Sequence, residues 1–344
     1  MIELLQDDRT LFNEFTLDSE YGRIEISREK PDEESMRNAL EPRVSRYLVE
    51  HGEDFTYPED KRFAVCLTHD VDDIYPPFTH AAMSMASHAG RLDIRGLNED
   101  ILWPRHGKKA SPYRNFSRIM ELEEKYGATS SFYFMATDRD VKRFRYNIED
   151  LEGDLGAIVD KGWEVGLHGG YYAYDRLEEI KKEKARLEKV LGRNTIGYRN
   201  HYLRFSVPKT WEYLEKAGFR YDTTIGYNQT VGFRNGMCHP YRPYDRTDGK
   251  YRDILEIPMA IMDCSVFEQG RTQEGAWELA KQLVDAAEQY HGVVTLLWHN
   301  DAFGVPFRDG WVKLYNKLLK YSSDKNAWIT SGENICRWWE KNGR

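Results

Sequence analysis

Two aspartates one residue apart, Asp70 and Asp72, end an apolar run at 63–67 that passes into them through Thr68-His69. A continuous apolar run suits a strand covered on both faces. Period-two alternation then turns both acids to one side. Like charges so placed repel, and the pair wants a cation or a shared proton; a polar strand end capping the next element is the plainer alternative. Two histidines hold comparable places, His168 after a run at 163–167 and His201 after one at 195–198. A hydrolytic metal site needs about three protein ligands and an open position for water. Asp72, His168 and His201 form such a candidate set, and one carboxylate with two imidazoles suits zinc while tolerating other first-row divalent ions.

The elements that must position these residues alternate in type. Strands are expected at 63–67, 128–135, 163–167, 195–198, 220–222, 254–257, 293–297 and 327–330. Helices are expected over 78–89, 111–126, 147–161, 175–191, from Ser206-x-Pro208 to Gly218, over 273–290 and 311–319, and at the C-terminus through Trp338-Trp339. This alternation implies parallel βαβ units, and seven or eight in a row favour an α/β barrel over an open sheet. Asp70, Asp72, His168, Arg199, His201, Asp222, Asp263 and His299 all follow the C-terminal ends of expected strands, the end that carries the active site in α/β barrels. Residues 1–60 read as an N-terminal extension, a short strand pair and a helix packed on the main body, with the barrel over 61–344. The insertion at 73–109 is long enough to suggest a function of its own.

Composition narrows the class. The 344 residues are 40% hydrophobic and 31% charged, as in a soluble globular protein, and the net charge of −8 argues against binding a nucleic-acid backbone. The four cysteines show no C-x-x-C spacing, so neither a zinc ribbon nor a disulfide framework is suggested. The acidic start lacks a signal-peptide pattern and no apolar run approaches the ~20 residues of a membrane span, so a cytoplasmic protein is expected. No G-x-S-x-G and no H-x-H after the first strand are present, which disfavours a serine hydrolase and the ordinary barrel amidohydrolases.

With these motifs in place, residues 62–340 resemble the polysaccharide deacetylases of the NodB-homology type (carbohydrate esterase family 4), in a variant branch that carries T-H-D-V-D. The resemblance implies a distorted (β/α) barrel of seven to eight parallel strands. It implies Asp70 as catalytic base, Asp72 as metal ligand, Arg199 of Gly197-Tyr198-Arg199 as partner of the base, and His299, at the end of the run from Val293, as general acid. The family's second motif has two ligand histidines four apart. Here His168-Gly169-Gly170-Tyr171-Tyr172 keeps the first and places Tyr172 at the second, and tyrosine, with a reference pKa of about 10, is a poor zinc ligand. His201 is therefore taken as the replacement. Asp263 is read as orienting His299, or else as a turn residue.

The activity so implied is metal-dependent removal of an N-acetyl group from an amino sugar in a glycan or glycan precursor, with a divalent metal, zinc, as cofactor. Tyr202 and Trp298 are expected to stack on a sugar ring. Arg234 and Arg242, in the loop 226–244, would suit an acidic or nucleotide-linked sugar. His69, alternating away from Asp70, belongs to the barrel wall. Two rivals stand beside this reading: hydrolysis of a non-sugar amide or cyclic imide on the same barrel, and a glycan-binding relative that has lost its metal.

Overall fold

A computed structural model of the chain describes residues 2–22, 38–138 and 144–342. Its centre is a nine-stranded sheet built from β1 (Ala64–Val71), β2 (Ser131–Met135), β3 (Glu164–Gly169), β4 (Gly197–Asn200) and β5 (Tyr221–Asp222), then, past a small antiparallel pair β6 (Tyr244–Asp245) and β7 (Lys250–Tyr251), from β8 (Leu255–Glu256), β9 (Met259–Met262), β10 (Val293–Leu297) and β11 (Trp328–Thr330). The spatial order is β8-β5-β4-β3-β2-β1-β10-β9, and every pairing in it is parallel.

The two outermost strands in that order, β8 and β9, are separated in the chain by Ile257-Pro258 alone. A link that short forces the sheet to curl until its edges approach. Both sides of the link are tied to β5 and the segment after it: Ile257 N–H donates to the Asp222 carbonyl and Met259 N–H, at the start of β9, to the Ile225 carbonyl, both at 2.8 Å. The apolar run expected as one strand at 254–257 thus continues past Pro258 as a second strand on the opposite edge. Proline has no N–H to extend a ladder and so breaks the run. A further distortion sits at β1. Its edge opposite β10 is shared, Ala64–Cys66 pairing with β11 and Thr68–Val71 with β2.

All eight residues of β1 are buried. Alternation sends Ala64 and Cys66 into the barrel with Tyr133, Tyr221, Leu255 and Ile257. It sends Val65, Leu67 and Val71 outward, against a shell in which the surrounding helices bury Ile119, Leu155, Ile180, Leu283 and Leu318. Each such side chain contributes about 1.5–3 kcal/mol relative to exposure. Inside, two tyrosines fill the bore because two glycines admit them. A Cβ at Gly166 would lie 2.4 Å from the Tyr133 ring, and one at Gly197 would lie 2.3 Å from the Tyr221 hydroxyl.

Several boundaries move. The helix expected from Ser111 begins at Phe116. The preceding turn is taken up otherwise, with Ser111 Oγ accepting from Tyr113 N–H and the Asn115 amide donating to the carbonyls of Pro112 and Asn300. The helix expected from Asn147 opens as a 3-10 turn, Ile148–Leu151, before Glu152–Asp160. Among the described residues of the N-terminal extension lie helices Ile2–Leu5, Arg9–Phe15 and Arg43–Glu50, whose Leu5, Phe15, Val44 and Leu48 pack on Met237 and Tyr241. The expected strand pair is represented there by a single bridge, Tyr21 to Val207. No described helix is long and apolar enough to cross a membrane.

Candidate active site

The register of the sheet brings the candidate residues level. Asp70 is opposite Tyr133 of β2, Met135 of β2 is opposite His168 of β3, and His168 is opposite Arg199 of β4. Asp72, one residue past β1, therefore stands at the height of His168. His201 follows β4 directly, in a tight turn where Tyr202 and Leu203 both adopt left-handed backbone angles, φ 60° and 52°. Side chains with a Cβ occupy that region at some cost, and here it is met beside the site.

At the centre, Asp72 Oδ1 lies 3.1 Å from His168 Nε2 and 3.4 Å from His201 Nε2. One ligand atom from each of the three residues can be chosen so that all lie within 4.8 Å of one another. The donor set fits a divalent cation for a specific reason. His168 Nδ1 is 3.0 Å from the Arg199 carbonyl, which only accepts, so Nδ1 carries the hydrogen. The Nε2 of the neutral ring is then a lone pair facing Asp72 at 3.1 Å and Asp70 Oδ2 at 3.7 Å. Acceptors aimed at one another need a proton or a metal ion between them. The protein's own charges show the same tension. Burial opposes ionisation of Asp72, yet His201 and His168 hold its carboxyl well below the ordinary range. Burial opposes protonation of His168, and Asp70 and then Asp72 more than reverse that, raising it.

Beside this cluster are two braced groups. Asp70 Oδ1 accepts from Arg199 Nη1 at 3.0 Å. That guanidinium is itself fully buried and anchored by Thr68 Oγ1 at 2.7 Å and by the Thr223 carbonyl and hydroxyl, each at 2.9 Å. On the other side, Asp263 takes His299 by both backbone N–H, at 2.7 Å, and Nδ1, at 2.9 Å. Burial lowers the His299 pKa, but Asp263, then Asp72, push it well above its ordinary value. The His299 Nε2 stands 3.9 Å from Asp72 Oδ2. Asp70, Asp72, His168, His201 and His299 line a cavity of about 330 Å³ together with Tyr202, Leu203, Asn228, Gln229, Met262, Cys264 and Leu297.

No family model matches the sequence, and no curated protein matches it significantly. Solved structures do. A Mycobacterium smegmatis protein assigned as a polysaccharide deacetylase is similar at 18% identity and a TM-score of 0.55, over 84% of this chain and 94% of that one. Another so assigned, from Pseudomonas aeruginosa, is similar at 16% and 0.56, over 86% and 97%. The chain has the NodB-like polysaccharide deacetylase fold. The PuuE allantoinase shares this NodB-like fold, at 16% identity and a TM-score of 0.55, over 86% of this chain and 96% of that one.

On the NodB-like barrel the expected site residues separate into two groups. Asp70, Asp72, His168, Arg199, His201, Asp263 and His299 converge on one point. Tyr202 stands at the cavity mouth, 42% exposed. Tyr172 is absent from the cavity lining and packs on Tyr171 instead. Three expectations are corrected. Trp298 is fully buried against Tyr315 and cannot reach a sugar, because the alternation that turns its neighbour His299 inward turns it out into the helix layer. Arg234 is spent on Glu20, at 2.8 Å, and on the Gly226 carbonyl, so it braces the loop rather than lining the cavity. Arg242 pairs with Asp253 beside Arg220 and Glu340, at the opposite end of the barrel.

Other participants went unread in the sequence. Thr223 carries no motif. Asn228 and Gln229 lie in the stretch 226–244, expected after the fifth strand to line a substrate cleft or to be a plain structured loop, and they, rather than its arginines, reach the cavity wall. His69 turns outward as expected, its Nδ1 2.7 Å from the Trp298 carbonyl and its Nε2 2.8 Å from Glu123, which also accepts from Ser130, Trp163 and Tyr315.

Proposed function

We propose that this chain is a metal-dependent hydrolase of a carbon–nitrogen amide bond, removing the N-acetyl group of an amino sugar, with the barrel from about residue 61 carrying the activity. The observation that carries the reading is the convergence of Asp72, His168 and His201 between a braced aspartate and a braced histidine. Those three residues would hold the ion, zinc by preference for this donor set. Once bound, it supplies Lewis acidity toward the amide oxygen and a water that loses its proton near neutral pH.

The remaining work falls to the chain's own groups. Asp70 has one carboxylate oxygen fixed by Arg199, and its Oδ2 receives the proton of the attacking water. Arg199, with its hydrogens engaged on Thr68 and Thr223, keeps Asp70 from swinging. His299, held as a cation by Asp263, passes its Nε2 proton to the departing sugar nitrogen, so acetate and a free amine leave. Asn228 and Gln229 offer amide groups to the hydroxyls of an uncharged sugar.

The allantoinase, as alike in fold as the deacetylases, supports cyclic-amide hydrolysis as a second reading. The test is metal content of the purified chain, wild type beside His201→Ala, followed by product analysis on N-acetylated sugars and cyclic ureides. About one zinc-class ion per wild-type chain, lost in the variant, with acetate released from a sugar, is the expected result. Ring opening of a ureide without acetate release selects the second reading. A wild-type chain that stays empty with metal added selects the glycan-binding relative.

A further inference from the structure

We propose that the helical hairpin following β1 seats this protein on an anionic membrane surface beside the mouth of its cavity. The inference does not depend on the hydrolytic reading. The hairpin consists of helices Phe78–Gly90 and Ile94–Leu102, and the first begins six residues after Asp72, at the end of the barrel that bears the site. Of the seven large hydrophobic side chains exposed among the described residues, five lie here: Phe78, Met83, Leu92, Ile94 and Ile101. Leu92 and Phe78 are each 86% exposed and Ile94 72%, so one segment concentrates apolar surface that elsewhere in the described residues is scattered singly.

The first helix has no Asp, Glu, Lys or Arg in its 13 residues. Its exposed positions, Phe78, Thr79, Ala82, Met83, Ala86, Ala89 and Gly90, recur at helical spacing and form one uncharged face. Thr79 is the one hydroxyl on that face; Ser84 is buried and His80 is bonded to the Tyr113 hydroxyl at 2.5 Å. Cations flank the apolar residues along the chain. The tip reads Arg91-Leu92-Asp93-Ile94-Arg95, and Arg105, Lys108 and Lys109 follow the second helix. Residues 78–110 carry these five cations against three acids, in a chain whose net charge is −8. Arg91 pairs with Asp309, Arg95 with Glu99 at 3.1 Å and Lys108 with Asp150 at 3.4 Å, exposed pairs that a headgroup can exchange for, while Arg105 and Lys109 have no ion pair among the described residues. Two of those acids are turned to His88, Asp93 at 2.8 Å and Asp100 at 3.7 Å.

An apolar face edged by lysine and arginine matches a bilayer boundary with anionic headgroups, where each cation contributes about 1 kcal/mol. A second copy of the chain would fit less well, because a two-fold contact sets these cations against their own images. Seated this way, the cavity opens toward material held at the lipid surface.

The full-length chain is sedimented with vesicles of equal parts phosphatidylglycerol and phosphatidylcholine, and with phosphatidylcholine alone. Expected is at least about tenfold stronger binding to the anionic vesicles, weakened by high salt. The double variants Leu92→Asp with Ile94→Asp, and Arg95→Glu with Lys109→Glu, should each lose most of it. Wild type remaining in the supernatant with both vesicles overturns the proposal. So does undiminished binding by the aspartate variant, or sedimentation velocity showing a wild-type dimer that Phe78→Asp dissociates.

Discussion

The two ends of the barrel treat buried carboxylates in opposite ways. β3 runs between them, with Glu164 as its first residue and His168 near its last. At the lower end, Glu164 receives donors only: Ser131 Oγ at 2.5 Å, the Tyr221 hydroxyl at 2.6 Å and the Glu333 N–H at 2.8 Å. Gly332 N–H, from the same helix start, donates to Ser131. The C-terminal helix Gly332–Lys341 thus seals this end with the free N–H groups of its first turn. At the upper end, Asp72, Asp70 and the lone pair of His168 are all acceptors directed at a common point. A carboxylate whose neighbours all donate is finished as structure. One whose neighbours also accept calls for a proton or a metal ion between them, and that difference sets apart the end where the proposed active site stands.

The sharpest way to break this comparison is Asp70→Asn. It should lower kcat on the order of a thousandfold while metal content, measured on the same preparation, stays at the wild-type level. A drop of a few fold would remove Asp70 as the base. Glu164→Gln probes the sealed end. Burial, then Glu333, push the Glu164 carboxyl up to about 7, above its ordinary 4.5. Between those values the folded chain holds a proton that the unfolded chain has released, so stability falls as pH rises through this window. The loss is on the order of 3 kcal/mol by pH 8. Urea midpoints of wild type and variant should therefore converge or diverge with pH across that window, and parallel curves would contradict the assignment.

Asp263→Asn should reduce kcat/KM by about 10- to 100-fold. It should also move the basic limb of the pH profile downward, because His299 loses the anion that keeps it protonated. A lower rate with an unmoved limb would make Asp263 a packing residue. The smallest effect is expected at Arg242, paired with Asp253 at the end away from the cavity. Arg242→Ala should leave kcat/KM within about twofold and stability within ~1 kcal/mol, and a larger kinetic loss would place substrate where the geometry does not.

How much was legible followed from how local each signal was. Asp70 and Asp72, His168, Arg199 and His299 stand at the ends of apolar runs, and alternation alone assigns them a side. The same rule could have placed Trp298, one residue from His299 and so on the other face. The arginines of the loop 226–244 offered no such rule, since their partners Glu20 and Asp253 are set by how that loop lies on the barrel. Thr223, 24 residues from the arginine it anchors, carries no mark of its role until β4 and β5 pair.

What the sequence determined by itself was therefore the alternation of the main sheet's strands and helices apart from Met259–Met262, the inward or outward face of strand residues, and a set of acids and histidines at one end. Those depend on periodicity, which is written along the chain. The tertiary structure decided the rest. Curling the sheet across Ile257-Pro258 joined strands far apart in sequence, brought His201 within 3.4 Å of Asp72, and closed the lower end with the last helix. Distances between residues on different strands depend on closure, and closure is a property of the whole sheet.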